Sequence, residues 1–161
     1  MEEELTQKEI DERIAIIKKF RSLLEQQRAK FNEYLHVLES QERNITNGNG
    51  EALVVQTELE NQIVSNIASL QKVIVPFEAL YRSSGAASYS PSQAKPVSSV
   101  QKDLEQLKQQ VLEQNTKNQT LLKSNMSQIR QQIGQLRNPY KYSRSIYAEK
   151  VPSGSIMNIE A

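Results

Sequence analysis

His36, in "YLHVLES", is the only imidazole of the chain, and there is no cysteine. A metal centre needs three or four nitrogen, sulfur or carboxylate ligands at close spacing. Covalent catalysis needs a nucleophile beside its base. His36 has no such company and reads as a solvent-edge residue. No phosphate-cradling glycine loop and no HExxH spacing occurs. The carboxylates are spread along helical faces. The expectation is a chain with no catalytic residue, no metal and no cofactor. The chemistry left to it is recognition by apolar and aromatic side chains.

Two stretches offer that. One is a line of apolar residues, Val100, Leu104, Leu107, Val111, Leu122, Met126, Ile129, Ile133 and Leu136, interrupted by Asn115 and Asn118. Buried asparagine in a helical seam lowers stability but fixes register. The line therefore has two readings: it packs on the rest of the chain, or it meets a partner or a second copy. The other stretch is the C-terminal "SRSIYAEKVPSGSIMNIEA", preceded by "NPYKY". Most chain ends carry no function. Here Tyr140, Tyr142 and Tyr147 lie among Lys141, Arg144 and Lys150, and Ile156, Met157 and Ile159 follow. Tyrosine is a favoured interface anchor, so a docking segment is expected.

Three helices must position these residues. In "TQKE", Thr6 and Glu9 have the spacing of a capping box. Ile10, Ile17, Leu24, Phe31, Leu38 and Ile45 then recur every seven residues, which predicts helix one over 7–46, about 60 Å long at 1.5 Å per residue. "NGNG" at 47–50 tolerates positive φ and stops it. Helix two is predicted over 51–82 from Leu59, Ile63, Ile67, Leu70, Ile74, Phe77 and Tyr81, with a kink or restart near Pro76. So short a connection makes the two helices an antiparallel hairpin. Residues 83–99, rich in Ser and Pro, read as a flexible linker. Helix three is predicted over 99–137, with Ser98 and Gln101 as its capping box, and "NPY" ends it. Residues 138–161 are the flexible tail. The fold class is all-α: an elongated helical hairpin plus a third long helix, a coiled-coil-like bundle in one domain spanning 1–161.

Composition agrees. Apolar residues make up 37% of the chain, with no Trp and a mean hydropathy of −0.62, against roughly 45–50% apolar in globular domains. That suits narrow buried stripes better than a deep core. A net charge of +1 argues against a nucleic-acid partner bound through phosphates. No apolar run approaches the roughly 20 residues of a membrane helix, and the acidic "MEEELTQKEI" is unlike a secretory signal. A cytoplasmic protein with no direct membrane insertion is expected.

The element "NQTLLKSNMSQIRQQIGQL", the tail "SIYAEKVPSGSIMNIEA" and the hairpin "YLHVLESQERNITNGNGEALVVQTELENQIV" together resemble the FlgN family of flagellar type III export chaperones. The family's Asn-x-x-Leu-Leu element falls on Asn118, Leu121 and Leu122. The resemblance implies a non-enzymatic cytoplasmic escort. Its partners would be hook–filament junction proteins (hook-associated proteins), held by their C-terminal segments, and the cytoplasmic domain of the export gate. It implies client binding along Asn118, Leu121, Leu122, Met126, Ile129, Ile133 and Leu136, as a helix-in-groove contact. It implies gate docking by Tyr147, with Tyr140, Ile156, Met157 and Ile159 beside it. A homodimer is left open, and the competing reading is a homo-oligomeric coiled-coil structural or adaptor protein.

Overall fold

The computed structural model describes residues 6–86 and 96–137, and they form three helices: α1 (Gln7–Thr46), α2 (Gly50–Ser83) and α3 (Val97–Arg137). Among the described residues there is no strand. The start of α1 is the expected capping box: the Glu9 amide donates to Thr6 Oγ1 at 3.3 Å, and the Thr6 amide donates to Glu9 Oε2 at 2.7 Å. The Thr6 hydroxyl, which also donates to Glu9 Oε2 at 2.7 Å, and then the Thr6 amide favour the ionised Glu9 and hold its pKa below the usual value.

The turn after α1 follows from one glycine. Gly48 has φ +67°, a region costly for side-chain-bearing residues. Its amide donates to the Ile45 carbonyl at 3.1 Å, and the Asn49 amide reaches the Asn44 carbonyl at 2.8 Å. This pair of bonds satisfies carbonyls that helix ends leave orphaned. Asn49 then caps α2, its Oδ1 accepting from the Ala52 amide at 3.2 Å.

Two boundaries differ from expectation. α3 begins at Val97, because the Pro96 carbonyl accepts from the amides of Ser99 and Val100. Ser98 therefore sits inside the first turn and is not its cap. α2 runs through Pro76 as one helix instead of restarting there. The carbonyl deprived of its usual donor belongs to Lys72, and Lys72 and Pro76 are both exposed, so water can take the bond. Residues 87–95 of the expected linker and the whole expected tail lie outside the described residues.

The helices pass through two compact units. In the first (Met1–Asn32 with Ser65–Lys108), Ile17, Phe20, Leu23, Leu24, Ile74, Val97, Val100 and Leu104 form the core. Phe20 meets Tyr81 with ring centroids 4.9 Å apart. Gln27, also buried, spans from α1 to the Ile67 carbonyl and to Gln71 Oε1 at 3.4 Å each. The sum of such contacts makes α1 and α2 antiparallel, as the hairpin requires.

In the second unit (Glu33–Val64 with Gln109–Ala161), Ile45, Leu53, Ile129 and Ile133 form an apolar cluster. Tyr34 bonds to Glu60 and Asn44 to Gln56, so α2 again runs antiparallel to α1. Asn118 pairs with Leu38 and Asn125 with Ile45, each 80 positions apart, so α3 runs parallel to α1.

α2 is the most apolar of the three helices. By length and composition it is apolar enough to cross a membrane, the one such helix among the described residues. Its apolar residues are spaced by uncharged Gln, Asn and Ser, which keep mean hydropathy high without an unbroken run.

Candidate partner-binding seam

The interrupted stripe of α3 divides on folding. Ile129 and Ile133 are buried against Ile45 and Leu53, with Leu121 and Leu122 packed half-buried at their edge. Met126 is half-buried, and Leu136 is 47% exposed. Asn118 is fully buried. The seam is thus internal at Asn118, Ile129 and Ile133 and accessible at Leu136, with Leu121, Leu122 and Met126 between. Tyr140, Tyr147, Ile156, Met157 and Ile159 lie outside the described residues.

What holds this part of α3 in place is unusually polar. Asn118, Asn125 and Gln132 recur every seven residues, continuing the line of Val97, Leu104 and Val111. Asn118 Nδ2 donates to the Leu38 carbonyl at 2.7 Å, and Asn125 Nδ2 donates to the Ile45 carbonyl at 3.4 Å. Gln132 Oε1 accepts from the Gly50 amide at 2.8 Å. The three amides form a ladder onto main-chain groups of α1 and α2. Leu38 and Ile45 are themselves seven apart, so the two helices match in step.

A hydrogen-bonded network runs from the buried Asn118 out to the surface. Gln114 Nε2 donates to Asn118 Oδ1 at 2.9 Å and to Glu42 Oε2 at 2.6 Å, and Lys117 Nζ lies 2.6 Å from Glu42 Oε1. The Lys117 ammonium, then the Gln114 amide, hold the Glu42 carboxyl below its usual pKa. On the other side, Gln41 Nε2 donates to Glu60 Oε2 at 2.5 Å, and the Tyr34 hydroxyl donates to Glu60 Oε1 at 3.1 Å. Glu60 is fully buried. Burial disfavours its charge and raises its pKa, against the two donors. Burial, then the Glu60 charge, raises the Tyr34 hydroxyl too.

The spacing that could have revealed Glu60 was in the sequence. Leu53, Glu60, Ile67, Ile74 and Tyr81 recur every seven residues, and Gln27 and Gln41 hold the same relation to Phe20 and Tyr34. Counting only apolar residues hides these positions. The same habit placed Leu59 in the stripe of α2, whereas Leu59 is 43% exposed.

His36 is exposed, with Nδ1 3.6 Å from Glu39 Oε2. Among the described residues no group of three His, Cys, Asp or Glu is placed to hold a metal ion. A shallow groove of ≈ 470 Å³ in the first unit is lined by Gln26, Ala29, Lys30, Asn66, Ser69, Leu70 and Val73, and offers no pairing of acid, base and nucleophile.

Residues 16–150, which take in α2, α3 and all of α1 but its first nine residues, match the family model described as FlgN protein. The chain belongs to the FlgN family. FlgN proteins are chaperones of the flagellum, and their family is not an enzymatic one. This FlgN-family chain is also 31% identical over 133 residues to an uncharacterized protein of Treponema pallidum (strain Nichols), covering 83% of this chain and 82% of that one. No solved structure matches it. The match reaches past α3 to residue 150, so the stretch holding Tyr140 and Tyr147 belongs to the family's pattern, as the helices do.

Proposed function

We propose that this FlgN-family chain is a cytoplasmic flagellar export chaperone. It binds the C-terminal segments of hook–filament junction proteins and delivers them to the type III export gate. The observation that carries the reading is the family match running through α1, α2 and α3 and into the tail. The seam adds a physical route. A client helix first meets Leu136 and the half-buried Leu121, Leu122 and Met126. Asn118, Ile129 and Ile133 become available when this part of α3 parts from α1 and α2. The amide ladder eases that parting, because the Leu38 carbonyl lies inside α1 and the Ile45 carbonyl accepts from the Gly48 amide, so both keep a main-chain donor. Water takes the place of the amides. Tyr140, Tyr147, Ile156, Met157 and Ile159 are proposed to dock on the gate.

The test is a pull-down with the C-terminal segment of a junction protein, using the full chain and a 1–137 truncation side by side. Both forms should retain the client, and only the full chain should restore secretion in cells. A stable homodimer or trimer that ignores the client would replace this reading with that of a structural coiled coil.

A further inference from the structure

One face of α2 in the second unit has no partner among the described residues. Glu51, Val55, Glu58, Leu59 and Gln62 are all exposed, and at 100° per residue they share one side of the helix. Val55 is 65% exposed and Leu59 43%. The opposite side carries the buried Leu53, Glu60 and Ile63. From residue 50 to 64 the helix has Glu51, Glu58 and Glu60 and neither Lys nor Arg. The outward face is therefore both apolar and acidic.

The end of α3 lies at the foot of this face. Gly50 donates to Gln132 Oε1 at 2.8 Å, and Glu51, Gln132, Gln135 and Leu136 line one open groove with Gly48 and Asn49. The chain leaves α3 at Arg137, and the next ten residues read "NPYKYSRSIY". They hold Tyr140, Tyr142 and Tyr147, the bases Lys141 and Arg144, and no acid. Pro139 opposes continuation of the helix. Ten extended residues span about 33 Å, whereas Glu51 to Gln62 is only about 16 Å along the axis. Length, charge and apolar content all match the face beside which the segment begins.

We propose that residues 138–147 of the same chain dock on this face of α2, with tyrosine rings over Val55 and Leu59 and with Lys141 and Arg144 beside Glu51 and Glu58. Tyrosine supplies large apolar area at low entropic cost, and the flanking ion pairs set the direction of the segment more than its affinity. A tail held there is withheld from any second protein that reads the same tyrosines. Displacing it is then a step in making it available.

The chain has no cysteine, so a single nitroxide can be placed by Val55→Cys on the full-length protein. Amide signals of residues 140–147 should lose intensity to the label in an isotope-enriched sample. They should recover when Glu51→Lys and Glu58→Lys are added; both sites are exposed, and unchanged helicity by circular dichroism checks the fold. Tail signals untouched by the label would overturn the proposal. So would loss that appears only when enriched unlabelled chains are mixed with unenriched labelled ones, because a second copy would then be the occupant. As an independent measurement, Leu59→Cys with Tyr147→Cys should give an intramolecular disulfide on mild oxidation; only intermolecular product overturns the cis contact. These readouts involve no client and no gate, so their failure leaves the chaperone reading standing.

Discussion

Asn118 on α3 donates to the main-chain carbonyl of Leu38 on α1 at 2.7 Å, while its own Oδ1 accepts from Gln114 one turn earlier. One buried amide thus serves both as an interhelical tie and as the end of a network that runs through Gln114 to Glu42 and Lys117. Alanine at 118 removes both bonds and leaves a cavity. Asn118→Ala should cost about 1–3 kcal/mol, read as a lower urea midpoint with far-UV helicity retained in the absence of denaturant. A change under about 0.5 kcal/mol, the size of an ordinary surface substitution, would mean the tie contributes nothing.

Glu60 gives the protein a pH dependence of opposite sign to that of its surface acids. Its folded pKa is raised by burial, so the stability it contributes is complete below the ordinary glutamate value of 4.5 and is lost as pH rises through the raised value. Glu9 and Glu42 have lowered pKa values, and theirs is present above 4.5 and lost as pH falls. Glu60→Gln should remove the first effect alone. Compared with the parent, it should gain relative stability as pH rises from about 4 toward 7, with the difference vanishing toward pH 4. Parallel stability curves for the two proteins across that range would contradict the burial of a charge at this position.

Gly48 lets the chain reverse between α1 and α2 without backbone strain. Its φ of +67° favours glycine, and a Cβ there would lie 3.3 Å from Gln128 Nε2. That neighbour is the end of a flexible side chain and can move, so backbone conformation dominates. Gly48→Ala should cost about 1–2 kcal/mol, seen as a lower melting temperature.

The accessible and internal parts of the seam should separate under mutation. Leu122→Asp with Leu136→Asp should abolish client retention in the pull-down while leaving the helical signal and most of the stability. Ile133→Asp places a charge in the cluster with Ile45, Leu53 and Ile129 and should unfold or strongly destabilise the chain, by at least about 3 kcal/mol. Client binding that survives the first pair would move the binding surface off α3.

Legibility differs between the fold and the seam for a physical reason. The seven-residue line of α1, the Thr6–Glu9 cap and the stop at Gly48 depend on near neighbours in sequence, and the structure shows each of them. The start of α3 at Val97 differs from the expected one because both Pro96 and Ser98 satisfy local capping rules, and the observed bonds go to the Pro96 carbonyl. Ile129 was legible as seam but not as covered seam. Whether an apolar stripe faces its own chain or another's is decided by what packs opposite, here Ile45 and Leu53, which lie far away in sequence. Glu60 is hidden from a count of apolar residues alone: its seven-residue place between Leu53 and Ile67 turns it inward, but nothing nearby in sequence shows that Tyr34 and Gln41 will satisfy it.

A stripe built only of leucine could be re-engaged one or two turns out of step with little loss. The bond from the Gly50 amide to Gln132 does not permit that. That amide sits in the first turn of α2, where no helical acceptor exists for it, and only one alignment of α3 brings Gln132 to it while Asn118 and Asn125 find Leu38 and Ile45. On the proposed route, in which a client displaces this part of α3, the three amides would index the returning helix to the same notch. A chaperone working that way would carry its own means of resetting.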